Sequence, residues 1–427
     1  RKGLSHRDAS VLLACENPEK VQEIYALAEQ IKKDFYGNRI VMFAPLYLSN
    51  YCVNGCTYCP YHAINKHIPR KKLTQEEIRA EVIALQDQGH KRLALEAGED
   101  PIHNPIEYIL ESIQTIYSIK HKNGAIRRVN VNIAATTVEN YRKLHDAGIG
   151  TYILFQETYH KESYEQLHPW GPKHDYAYHT EAMDRAMEGG IDDVGLGVLF
   201  GLDKYRYEFA GILMHAEHLE AVHGVGPHTI SVPRICPADD IDPSAFSNAI
   251  SDDTFAKIVA CIRIAVPYTG MIVSTRESQR CRERVLHLGI SQISGGSRTS
   301  VGGYTEEERP EDTVQFDISD RRSLDEVVCW LMEMGYVPSF CTACYREGRT
   351  GDRFMSLCKS GQIQNCCLPN ALMTLKEYLQ DYASAKTRTL GDTMIQSQLQ
   401  DIPNEKVRKI VEERLVKIAG GERDFRF

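Results

Sequence analysis

From residue 38 the sequence repeats one unit, a short apolar run followed by a stretch with helical spacing. Eight such runs recur: Ile40–Ala44, Arg92–Leu95, Arg128–Ile133, Thr151–Phe155, Val194–Phe200, His228–Val232, Met271–Ser274 and Gln292–Ser294. The intervening stretches carry recognisable ends. Thr74-Gln75-Glu76-Glu77 forms a capping box, Ile78, Val82 and Leu85 fall on one face, and Gly89 suits the left-handed turn that closes a helix. The pattern returns over Thr137–Gly148 and from about Thr180 to Gly189. Strands alternating with helices predict a parallel α/β sheet, closed as a (β/α)8 TIM barrel or left open as a doubly wound sheet.

Around this unit the chain divides into three. Residues 1–37 are expected to be a leading helical segment, with Val21, Ile24, Tyr25, Ala28 and Ile31 on its apolar face. Residues 38–325 form the barrel. Residues 326–427 form a small, mainly helical C-terminal domain rich in Cys. There Val327, Val328, Leu331 and Met334 predict a helix ending before Gly335, Thr374-Leu375-Lys376-Glu377 reads as a second capping box, and Asn404–Gly420 reads as an amphipathic helix.

A barrel places its chemistry in the loops after its strands. The loop after the first run is Cys52-Val53-Asn54-Gly55-Cys56-Thr57-Tyr58-Cys59, three thiols within eight residues. Thiolates so spaced converge on a metal centre. Zinc is the plain alternative, with His62 or His67 as the further ligand. Later strand ends are polar too: Gly98-Glu99-Asp100, Gln156-Glu157, Ser274 to Glu277, and Ser294 to Arg298.

A second set, Cys341-x2-Cys344-x22-Cys367, suits zinc or iron–sulfur equally by spacing alone. Cys366 competes with Cys367 as ligand, while Cys15, Cys261, Cys329 and Cys358 are expected to be small core residues. Thirteen Cys without a signal peptide predict a reducing, cytoplasmic setting, and sequence is expected to precede Arg1. A net charge of −8 and the lack of a long apolar run give no reason to expect nucleic acid or membrane as partner.

The CxxxCxxC loop with Tyr58 before its last Cys resembles the radical S-adenosylmethionine (SAM) family. The resemblance implies a 4Fe-4S cluster on Cys52, Cys56 and Cys59, with SAM on its open iron. It implies SAM contacts from Tyr58, Gly98, Glu99, Asp100, Glu157 and Arg185, with the backbone of Val194–Val198 beside adenine. Gln156-Glu157-Thr158-Tyr159, Gly226-Pro227-His228, Gln292 to Thr299 and the C-terminal thiols make the chain similar to the family's tyrosine lyases of [FeFe]-hydrogenase maturation. That likeness implies that SAM cleavage gives a 5′-deoxyadenosyl radical, which attacks L-tyrosine and breaks its Cα–Cβ bond. The products are p-cresol and dehydroglycine, the latter yielding carbon monoxide and cyanide.

By the same likeness Cys341, Cys344 and Cys367 carry a second 4Fe-4S cluster with an additional iron bridged by L-cysteine, and His228 is a ligand or close neighbour of that iron. The implied product is an Fe(CO)2(CN) precursor of the hydrogenase H-cluster. The implied partners are an electron donor such as ferredoxin or flavodoxin and other hydrogenase maturation proteins. Arg276, Ser294 and Arg298 are the candidates for the tyrosine carboxylate, because a guanidinium fork matches a carboxylate. Two alternatives remain: a 2-iminoacetate synthase-like lyase whose second cluster transfers electrons, and a noncatalytic iron–sulfur scaffold.

Overall fold

The computed structural model describes residues 3–305 and 314–427. All eight apolar runs are strands: β1 (Arg39–Ser49), β2 (Arg92–Ala97), β3 (Arg128–Asn132), β4 (Tyr152–Glu157), β5 (Val194–Val198), β6 (Thr229–Ser231), β7 (Gly270–Val273) and β8 (Gln292–Ser294). Each pairs in parallel with the next, and β1 also pairs with β8 through Val41↔Gln292 to Phe43↔Ser294. The sheet is therefore a closed eight-stranded barrel, and the open alternative is excluded. Ile40, Met42, Ala44 and Leu46 alternate along β1 into the packing against the outer helices, and all are buried. Intervening side chains such as Phe43, Pro45 and Tyr47 face a cavity inside the barrel.

The predicted helix ends hold. Thr74 and Glu77 close both bonds of the capping box of Gln75–Gln88, and Gly89 ends that helix at φ 101°. Ser323 and Glu326 make another box at Leu324–Glu333, Thr137 caps Val138–Asp146, and Asn404 caps Glu405–Ala419.

Two expectations fail in detail. The leading segment, described from residue 3, is two helices, His6–Leu13 and Pro18–Tyr36, because Asn17 caps the second and Pro18 cannot continue the first. Thr374 opens no helix: it lies inside Gln364–Asp381, and its hydroxyl donates back to Asn370 O at 2.9 Å. The T-x-x-E spacing fits a helix interior as well as a helix start.

A ninth strand, β9 (Val337–Ser339), joins the barrel beside β1, with Arg39↔Val337 to Val41↔Ser339. The C-terminal helices Gly351–Ser360, Gln364–Asp381, Ala385–Leu399 and Glu405–Ala419 follow it. Phe340 stacks on Tyr378 at 4.8 Å between ring centroids, and helix Gln364–Asp381 packs on both β9 and Glu405–Ala419. These elements lie by the N-terminal ends of the barrel strands: Arg92, which starts β2, donates to Cys341 O at 2.8 Å. Among the described residues no helix is long and apolar enough to cross a membrane.

Candidate active site and a second thiol site

Buried Asn54 organises the loop after β1. Its Nδ2 donates to Glu99 Oε2 at 2.6 Å, and its Oδ1 accepts from the Lys173 amide at 2.9 Å. Backbone bonds complete the stitching: Val53 N–H donates to Glu99 O (2.8 Å), Gly55 to Trp170 O (3.1 Å) and Thr57 to Leu167 O (2.9 Å). Held in this way, Cys52, Cys56, Tyr58 and Cys59 face one cavity with Gly98 and Glu99. A Cβ on Gly98 would lie 2.3 Å from Tyr51 O and 3.0 Å from Cys52 Cβ, so the end of β2 approaches the thiol loop this closely only as glycine.

Burial pushes the Cys59 thiol up to about 11 and raises that of Cys56 further still. Binding iron as thiolates therefore releases protons. Among the described residues no three His, Cys, Asp or Glu side chains meet at the spacing of one ion. The thiolates of a cluster stand on separate irons and need no such meeting point. His62 and His67 do not serve as further ligands: they turn to Asp240 (3.2 Å) and Asp239 (3.8 Å) on a neighbouring loop.

Two predicted acidic residues differ in what they do. Glu157 ends β4 at a register shift and has φ 68°, a left-handed conformation that turns its carboxylate into the cavity. There Lys173 Nζ donates to its Oε1 at 2.8 Å. Burial opposes the Lys173 ammonium, but the Glu157 carboxylate outweighs it and holds the group protonated. Asp100 instead closes its own turn, accepting from the amides of Ile102 and His103 and from His103 Nδ1, each at 2.9 Å. Its side chain is spent there, and it does not line the thiol cavity.

Tyr58 does line that cavity, and its hydroxyl meets His168 Nε2 at 2.7 Å. Arg185 does not: its Nε donates to Thr136 O at 3.0 Å, a second nitrogen donates to Tyr178 O, and its guanidinium stacks on the Tyr178 ring. Both Asp100 and Arg185 therefore depart from the expected placement, because each is consumed by local backbone partners.

The thiol cavity continues into the barrel, where Tyr47, Glu96, Asn132, Arg276 and Phe316 line both parts. Arg276 stacks on Phe316 at 3.6 Å from the ring centroid. Neither Glu277 nor Glu283 engages it. Glu277 binds Arg234 and Glu283 accepts from Trp330 Nε1 at 2.7 Å, leaving Arg276 without a carboxylate at ion-pair distance among the described residues. Burial pushes Glu96 up to about 8, with Arg276 opposing it. Ser294 lines the inner part, its hydroxyl accepting the Thr275 amide at 3.3 Å. Arg298 does not line the cavity: it donates to Ser297 O at 3.1 Å, and its own amide donates to the Tyr304 hydroxyl.

Sequence reasoning missed Asn54, Lys173, Glu96, Asn132 and Phe316 as site residues. Glu96 and Asn132 carry a usable signal, since both occupy inward-facing positions at strand ends.

At the opposite mouth lie Cys341, Cys344 and Cys367. The neighbouring Cys367 thiol and the Arg349 guanidinium hold the Cys344 thiol below its usual range. Of the adjacent pair, Cys367 is buried and Cys366 only partly so. Arg349 also binds Phe427 O, and Arg346 clasps Asp424 with both terminal nitrogens at 2.6 and 2.5 Å, so the segment after the last helix straps the thiol loop.

His228, just before β6, is buried against Phe354 with its Nε2 3.3 Å from the Tyr345 hydroxyl and its Nδ1 3.4 Å from Asp193. His228 Nδ1, Asp193 Oδ2, Arg92 Nε, Arg128 Nε and Thr229 Oγ1 are buried there without hydrogen-bond partners. A polar, undersatisfied floor of this kind suits a charged or polar guest.

Residues 46–213 match the model of the Radical SAM superfamily, and residues 231–337 that of the Biotin and Thiamin Synthesis associated domain. The chain is 30% identical over 337 residues to 2-iminoacetate synthase of Salmonella typhimurium, covering 78% of this chain and 86% of the relative. It is similar to the crystal structure of HydG, a maturase of the [FeFe]-hydrogenase, with a TM-score of 0.97, 59% identity, and coverage of 100% of this chain and 92% of the other. The structure of the FeFe-hydrogenase maturase HydG from Carboxydothermus hydrogenoformans matches with a TM-score of 0.85 and 42% identity, covering 97% of this chain and 90% of that one.

Proposed function

The chain belongs to the radical SAM superfamily and to its HydG group, and from that premise we propose that it is a tyrosine lyase of [FeFe]-hydrogenase maturation. It cleaves the Cα–Cβ bond of L-tyrosine to p-cresol and dehydroglycine, and the second thiol site converts dehydroglycine to carbon monoxide and cyanide for an Fe(CO)2(CN) precursor of the H-cluster. The observation that carries this reading is the pairing of a three-thiol loop at one mouth of a closed barrel with a second three-thiol set at the other.

Cys52, Cys56 and Cys59 hold the first 4Fe-4S cluster, and Gly98, Glu99, Glu157 and Lys173 border the space for SAM. When bound, cluster and SAM supply the one-electron cleavage that starts the chemistry. The protein supplies position. Arg276, which has no carboxylate at ion-pair distance among the described residues, takes the substrate carboxylate with its fork, with Ser294 beside it. Glu96, neutral below about pH 8, offers a hydrogen-bond donor in the same chamber. Tyr47 and Phe316 cover the substrate ring and exclude water, which suppresses side reactions. Cys341, Cys344 and Cys367 hold the second cluster, and His228 with a bound L-cysteine holds the additional iron.

The test is to incubate the anaerobically reconstituted, dithionite-reduced protein with SAM and tyrosine and assay p-cresol, cyanide and carbon monoxide. All three are expected. Cys59→Ala should form no 5′-deoxyadenosine, and normal formation there would overturn the assignment of the first cluster. A lyase with an electron-transferring second cluster yields p-cresol alone, and a scaffold yields nothing.

A further inference from the structure

Residues 422–427 follow the last helix without helix or strand of their own, yet they reach three separate parts of the fold. The contacts converge on Asp424. Its carboxylate accepts from both terminal nitrogens of Arg346, at 2.6 and 2.5 Å, and lies 3.3 Å from Arg127 Nε. Its amide donates to Glu377 Oε1 at 2.6 Å. Glu377 is buried and takes a further bond from Arg127 at 2.9 Å, so Asp424, Arg127 and Glu377 close a ring.

The partners stand on different elements. Arg346 ends the four-residue turn Ala343–Arg346 that carries Cys344. Glu377 lies on helix Gln364–Asp381, whose first turn carries Cys367. Arg127 leads into β3 of the barrel wall. Phe427 repeats the bridge. Its amide donates to Asn370 Oδ1 at 2.9 Å, a turn beyond Cys367, and its carbonyl accepts from Arg349, whose own amide donates to Cys344 O at 2.7 Å.

Asp424 meets these partners at φ 71°, in the left-handed region that a residue with a side chain adopts only at a cost. A conformation of this kind persists where its surroundings over-determine it. Here the amide and the carboxylate are drawn to different elements, and those bonds hold the backbone against its local preference.

We propose that Asp424 is a positioning residue for the second thiol site: it ties the Cys344 turn to the Cys367 helix, and both to the barrel, so that the two thiols are held in place before a cluster binds. The inference rests on the reading of Cys341, Cys344 and Cys367 as cluster ligands. Four residues make too short a helix to hold a thiol by their own backbone bonds. The ties through Asp424 supply what the turn lacks, and a site held in advance loses less to ordering when it binds.

The experiment uses the full chain, first reduced and metal-free and then reconstituted. Dibromobimane bridges neighbouring thiols, and mass spectrometry locates the Cys344–Cys367 product. Asp424→Asn removes the charge but keeps a residue that tolerates the left-handed backbone, and Arg346→Gln breaks the same tie from the other side. Each is expected to slow Cys344–Cys367 bridging by about 10-fold, with bridging among Cys52, Cys56 and Cys59 at the parent rate. After reconstitution each should weaken the electron paramagnetic resonance signal of the second cluster while keeping that of the first and p-cresol formation. Parent-rate Cys344–Cys367 bridging in either variant, or a second-cluster signal at parent strength in both, overturns the proposal. So does an equal slowing at both thiol sets, because Asp424 would then only stabilise the fold as a whole. If the unaltered protein takes up no second cluster, the functional reading of that site fails, and the bridging comparison still decides whether Asp424 positions the thiols.

Discussion

Lys173 Nζ and Glu157 Oε1 meet at 2.8 Å inside the thiol cavity, both side chains largely shielded from solvent. One comes from the loop after β4 and the other from the strand end itself, so the pair fixes that loop over the cavity. Removing one member strands the other charge. Lys173→Met is expected to cost about 3 kcal/mol of stability and to weaken SAM binding. The double variant Lys173→Met/Glu157→Gln should recover part of the stability. Chemical denaturation and SAM titration check both, and equal stability of the single variant and the parent would refute a structural role for the pair.

Glu96 makes a pH-dependent prediction. Its folded-state pKa, about 8, lies above the usual value of 4.5 because of burial. The folded protein therefore keeps a proton that the unfolded chain has lost, and stability falls as pH rises from about 4.5 to about 8. Glu96→Gln should remove this component, so the variant gains on the parent by up to about 5 kcal/mol near pH 9 and by little near pH 5. Thermal unfolding of both proteins across that range measures it.

Cys341→Ala/Cys344→Ala should retain p-cresol formation and lose carbon monoxide release, since these thiols sit at the opposite mouth of the barrel from Cys52. Loss of p-cresol with the first cluster spectroscopically intact would show that the two sites do not divide the labour.

His228→Ala separates an iron ligand from a core residue. A ligand role predicts near-normal SAM and tyrosine cleavage with lowered carbon monoxide output and altered electron paramagnetic resonance of the second cluster. A core role predicts a general loss, because a buried side chain beside Asp193 and Tyr345 is removed.

The barrel was legible because each strand and helix announces itself locally. A short apolar run marks Ile40 to Ala44, and Thr74, Glu77 and Gly89 mark helix ends within a few residues of chain. β9 was not: three residues including Pro338 carry no period, and they become a strand only because β1 offers a partner. The thiol loop was legible from spacing alone. Lys173 and Phe316 were not, since Lys173 reaches the site from a single 3-10 turn, Pro172–His174, and Phe316 from a loop, and the fold sets the path of both. Asp100 and Arg185 show the reverse error. Residue type suited a ligand contact, but nearby backbone donors and acceptors claimed the side chains first.

The placement of β9 has a consequence for how separable the two ends of this protein are. β1 carries the first thiol loop at its end and hydrogen-bonds at its start to β9, which leads directly into the second thiol loop. A chain cut at residue 325 would strip that partner from Arg39 to Val41 and leave an open sheet edge of the kind that invites aggregation. The C-terminal elements are thus a bound continuation of the barrel wall rather than a detachable module. The molecule should melt in a single cooperative transition, and neither thiol site is expected to survive as an independently folding fragment.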